Sequence, residues 1–165
     1  MMLINILAAI ILFLSFFGGF FQGAVKSFFS LLSFIIAVPV AGRVYPFIAG
    51  LLSFLPGENW ENFIGFFIAL AIVSIILAFV FYLPRKIMEK VWSGGILFRL
   101  GGGILNLLGA AIGLVVLASL ISTYPVWDWL QQAMTDASII QWMVSNLGFI
   151  RVLLPDLLQR TVIKY

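Results

Sequence analysis

The sequence predicts an all-α, polytopic membrane protein: about four transmembrane helices followed by an amphipathic helical tail lying at the membrane surface. Three observations predict it. Hydrophobic residues make up 64% of the chain and charged residues 9%, with a mean hydropathy of +1.21, whereas soluble domains hold roughly 45–50% apolar and about 25% charged residues. Four stretches carry no charge over lengths that reach or approach the ~30 Å hydrocarbon core of a bilayer at about 1.5 Å per helical residue. All six carboxylates (Glu58, Glu61, Glu89, Asp128, Asp136, Asp156) fall between or beyond those stretches.

The first span covers residues 2–21, which contain no charge. A secretory leader would show basic residues ahead of a shorter apolar core and a small-x-small cleavage site, so this segment is expected to stay as a span. The second covers residues 24–42. Its uncharged part, Ser27 to Gly42, sits between Lys26 and Arg43 and measures only about 24 Å as a helix. It spans by letting both cations snorkel outward, and Pro39 is expected to bend its last turn. Residues 44–55 are too short to cross again and hold Tyr45, Pro46 and Gly50, so they read as an interfacial or re-entrant piece ended by the turn at Pro56 to Asn59. Whether 24–55 is one short span or a bent hairpin stays open.

The third span, residues 62–83, is uncharged throughout and is stopped by Pro84, Arg85 and Lys86. A basic connection with a hinge at Ser93-Gly94-Gly95 leads to the fourth span, residues 100–124, ended by Pro125. Residues 1–124 thus form the membrane unit. Residues 125–165 mix Trp127, Trp129 and Trp142 with Asp128, Asp136 and glutamines, the composition of helices lying in a membrane interface, here the outer face. Such a tail is too short to bury a core of its own.

Orientation follows from the cations near the span ends. Lys26 lies between the first two spans, and Arg85, Lys86, Lys90 and Arg99 lie between the third and fourth; Arg43 alone marks the other side. The richer side is expected to face the cytoplasm, which places both termini outside it. Arg99 is also placed to pair with Glu89. The basic cluster offers contacts to anionic lipid headgroups, although topology alone accounts for it.

Histidine and cysteine are absent, which removes imidazole bases, thiolate nucleophiles, disulfides and their metal ligands. No span holds a carboxylate for a proton relay. The net charge of +3 is small and scattered, so nucleic acid is not an expected partner. Gly101-Gly102-Gly103 lacks the Lys-Ser/Thr ending of a phosphate loop. Neither a cofactor nor catalysis is expected. What remains is packing: Gly102, Asn106, Gly109 and Gly113 fall on one face of the fourth span, and Ser30, Ser33, Ala37 and Ala41 make a similar strip in the second. Small residues let helix backbones approach closely in lipid, where the hydrophobic effect does not press helices together. Asn106 is the unusual member, because an amide in hydrocarbon needs a partner.

The run GGFFQGAVKSFFSLLSFIIAVPVAG, the basic loop and the run FRLGGGILNLLGAAIGLVVLASLI together resemble the colicin V production protein (CvpA) family, in which a glycine-plus-basic motif opens the second helix and an arginine with spaced glycines opens the fourth. Gly23 with Lys26 matches the first motif, and Arg99 with Gly102, Gly109 and Gly113 the second. The segment VWDWLQQAMTDASII is similar to the family's tryptophan-containing stretch after the last span. Gln22 replaces a common basic residue, Phe98 a common acidic one and Ala133 a common serine. The resemblance implies a bacterial inner-membrane protein that supports colicin V production or export and envelope function. The expected mode is docking of a membrane partner or self-association within the lipid bilayer, with an oligomeric small channel or transporter subunit as the alternative.

Overall fold

The computed structural model describes residues 2–54, 57–91, 94–125 and 128–146, and the regular structure among them is α-helical. Ser93, Pro56, Trp127 and residues 147–165, which the sequence assigns to the hinge, a turn and the tail, lie outside the described residues. The helices are α1 (Met2–Gln22), α2 (Ala24–Leu51), α3 (Glu58–Val80), α4 (Tyr82–Val91), α5 (Ile96–Thr123), α6 (Asp128–Thr135) and α7 (Ser138–Asn146). Four of them, α1, α2, α3 and α5, are long and apolar enough to cross a membrane. Their sequences are rich in β-branched and aromatic residues; an apolar solvent nonetheless makes each a helix, since that closes every backbone hydrogen bond within the segment.

One expectation fails at Arg43. The second span does not stop there, and residues 44–51 do not form a separate interfacial or re-entrant piece: α2 runs unbroken to Leu51 with Pro39 and Pro46 inside it. A proline costs a helix one N–H, leaving the carbonyl four residues back without its donor. Packing offsets that loss here. Ala41, Tyr45 and Ala49 are buried along the second half of α2, and a Cβ built on Gly65 of α3 would lie 3.0 Å from the backbone nitrogen of Ala49. At about 1.5 Å per residue α2 measures about 42 Å, so it tilts or extends beyond the hydrocarbon core.

The spans are not arranged in chain order. The main packing contacts run from α1 to α5, from α5 to α2 and from α2 to α3, which makes α1, α5, α2, α3 the order in space. α5 is the hub: 50% of its most apolar window is buried, against 17% for α1 and for α3. The outward faces of α1 and α3 remain covered in large apolar side chains, including Phe13, Leu14, Phe17, Ile75 and Phe79, as lipid contact requires. At one end of the row Tyr45 and Tyr124 share a hydrogen bond of 2.7 Å between hydroxyls, tying α2 to the end of α5.

The connection after α3 is itself helical. α4 is a short, strongly amphipathic helix in which Arg85 pairs with Glu89 at 2.9 Å and the Lys86 ammonium lies 5.6 Å from the Tyr82 ring centre. Glu89 is therefore taken by the residue one turn before it, the favoured neighbour on a helix surface, and Arg99 is not its partner. Residues 128–146 of the tail are largely helical too, and they turn an apolar face onto the protein. Met134, Ala137, Ile140, Met143 and Val144 are buried, and the Ile139 N–H donates to Asn5 Oδ1 at 3.2 Å, joining α7 to the start of α1. Trp129 and Trp142 point outward.

Candidate functional site

Two features concentrate the residues that the sequence singles out. The first is the crossing of α1 and α5. Gly23 separates α1 from α2 with φ of 81°, a left-handed conformation that glycine adopts without the penalty a Cβ brings. This one-residue turn lets α1 close on α5 while α2 leaves along α5's other flank. Contact at the crossing is backbone to backbone. A Cβ on Gly19 would strike the Gly102 carbonyl oxygen, and one on Gly102 would strike the Gly19 carbonyl oxygen and lie 2.6 Å from the Gly23 carbonyl carbon. One turn further along, Asn106 Nδ2 donates to the Ser15 carbonyl of α1 at 2.8 Å.

The glycines of α5 therefore serve different neighbours. Gly102 meets α1 without room to spare, whereas Cβ atoms on Gly109 and Gly113 would find Leu31 and Phe34 of α2 at 3.5 and 3.7 Å, ordinary van der Waals distances. Gly23 and Gly102 stand out in the sequence, whereas Gly19, the other half of the contact, does not stand among the family motifs. Its signal was the Gly19-x-x-x-Gly23 spacing, the small-residue pattern of close helix pairs in membranes. Asn106→Leu is expected to cost about 1 kcal/mol of stability, the scale of an interhelical hydrogen bond in lipid, measured by unfolding the protein in mixed micelles.

The second feature is a cleft of about 300 Å³ between α2 and the end of α3. Lys26, Arg85 and Gln22 line one end of it, and exposed Ser30 with half-buried Ser33 and Ser74 line the rest. The two cations are 59 positions apart in the chain, and the antiparallel course of α2 and α3 brings them together. Lys26 and Arg85 are both half-buried, while Lys86, Lys90 and Arg99 are exposed at the same end of the molecule. Ser30 also borders a second hollow of about 260 Å³, lined by Ser15, Leu31, Asn106 and Gly109. Phe98 packs its ring over Gly23: a Cβ there would sit 3.2 Å from it. Among the described residues no cluster of acidic side chains has a metal-binding arrangement.

Four long apolar helices with apolar outer faces, and interior polar groups mostly spent on helix contacts, define an α-helical multi-pass membrane protein. Within that class, the model of the colicin V production protein family matches residues 4–148. The chain belongs to this family. Comparison with the curated proteins and with the solved structures gives no significant match.

Proposed function

We propose that the protein is a non-enzymatic helper of the bacterial inner membrane that supports colicin V production or export and envelope function by docking a membrane partner or a second copy of itself. The observation that carries this reading is how the interior polar side chains are used. Asn106 bonds α1 to α5, Tyr45 bonds the end of α2 to the end of α5, Asn5 bonds α1 to α7, and Ser119 and Thr123 bond back to carbonyls of their own helix. Apart from Ser27, whose buried hydroxyl has no partner among the described residues, these groups are committed to the helices themselves or to contacts between them, which suits a rigid platform. Crosslinking in native membranes is expected to trap a homo-oligomer or a defined partner; recovery of freely diffusing monomer alone overturns the proposal.

The orientation that goes with it puts Lys26, Arg85, Lys86, Lys90 and Arg99 in the cytoplasm. The excess of cations at that end supports it. Reporter fusions after Gly94 are expected to signal a cytoplasmic location, and those after Gly57 and at residue 165 an external one.

A transport role is the second reading, favoured by one observation: the basic cleft and the hollow beside Asn106 share Ser30, which makes two partly polar hollows adjoin. Reconstituted vesicles that leak neither ions nor small solutes, together with an Asn106→Leu variant that works normally in cells, would retire it.

A further inference from the structure

We propose that the cleft between α2 and α3 is a binding site for a phosphate-bearing anion, with Lys26 and Arg85 as its charged clamp. The charge in the cleft is unbalanced. Lys26 has no ion-pair partner among the described residues, and it occupies the first turn of α2, where the helix dipole is already positive. The N-cap Gly23 supplies no side-chain acceptor and the first turn of α2 contains no acid, so nothing on that helix offsets the field. Arg85 uses Nε on Glu89, and a guanidinium keeps four further N–H donors for another acceptor.

The cleft's length and chemistry then narrow the ligand. Lys26 and Ser33 are two helical turns apart, about 10 Å along α2, so the site runs from the two cations to the hydroxyls of exposed Ser30 and half-buried Ser33 and Ser74. Ser30 and Ser33 on α2 face Ser74 on α3 across it. A charged end with hydrogen-bonding oxygens matches a phosphate ester carrying a polar substituent; a bare apolar chain would leave those hydroxyls unpaired. Two sources present that chemistry, a lipid headgroup and a free phosphate.

The test uses the full chain purified in detergent and native mass spectrometry of retained lipid. The probes are phosphatidylglycerol and phosphatidylcholine of identical acyl chains. Phosphatidylglycerol is expected to be retained in preference. Replacing Lys26 or Arg85 with glutamine is expected to weaken retention about fivefold, and replacing both roughly thirtyfold. Lys86→Gln with Lys90→Gln, which removes the same charge from exposed positions outside the cleft, is expected to leave it unchanged. Adding inorganic phosphate separates the sources: displacement of the lipid assigns the site to the free anion, and no displacement assigns it to the headgroup. Equal retention of the two lipids overturns the site, as does an equal loss in the Lys86 and Lys90 variant. If the glutamine variants fail to fold, Lys26→Arg with Arg85→Lys must retain the lipid, and its failure to do so overturns the proposal as well. This site stands apart from partner docking, so either reading can fail without the other.

Discussion

Gly102→Ala is expected to be among the most damaging single-methyl additions in this protein, costing about 3 kcal/mol or more. The added carbon would meet the carbonyl oxygen of Gly19 and the backbone of Gly23, and backbone cannot rotate aside as a side chain can. Relief requires α1 to move off α5, which would also break the Asn106 bond to Ser15. Gly19→Ala should behave in the same way, since it collides with the Gly102 carbonyl oxygen. Gly109→Ala and Gly113→Ala are the controls. Their new methyls find only side-chain carbons at van der Waals distance, and the gain in helix propensity, up to about 1 kcal/mol, favours them. Unfolding in mixed micelles with rising dodecyl sulfate reads all four. Should Gly102→Ala unfold together with Gly113→Ala, the close α1–α5 crossing is wrong.

Ile140→Asp is expected to release the tail from the bundle while the membrane helices stay folded. Ile140 is 3% exposed, and a carboxylate there has no partner at hand among the surrounding Met143, Val144 and Met134. Burying it costs several kcal/mol, roughly 3 or more, and undocking α6 and α7 is the cheaper outcome. Limited proteolysis should then cut between α5 and α7 in the variant and spare the wild type. The absence of native cysteine allows a second reading: single cysteines placed at Asn5 and Ile139, joined at 3.2 Å in the fold through Oδ1 and N–H, should crosslink with a short bifunctional reagent and lose that ability when Ile140→Asp is added. Trp142→Gln, at an outward-facing position, is expected to keep both the protection and the crosslink. Loss of protection in that variant as well would show that lipid, rather than the bundle, holds the tail.

These two expectations fall where the sequence was least informative. The presence of four spans could be read from length and hydropathy, because a membrane imposes a minimum of apolar residues on any helix that crosses it. The end of α2 could not. Arg43, Pro46 and Gly50 are each reasonable places to stop a span on local grounds, and only the contact of Ala49 with Gly65 shows why the helix continues. In the same way Gly102, Asn106, Gly109 and Gly113 share one stripe by periodicity, yet the stripe is divided between two neighbours, and periodicity carries no information about which helix lies opposite. The amphipathic character of residues 128–146 was equally plain, but an apolar face is as well satisfied by protein as by lipid.

The candidate cleft illustrates the division most directly. Lys26 and Arg85 were visible as topology signals, and Ser30 and Ser33 as part of a small-residue packing strip; nothing in one dimension joined them. Composition alone determined the solvent in which this protein folds and the absence of histidine and cysteine chemistry, because both are sums over residues. Which helices touch, where α2 ends, what the tail buries and that two distant cations share one hollow were decided by tertiary structure. Those are relations between surfaces, set by which backbones can approach most closely in lipid, where the hydrophobic effect does not press helices together.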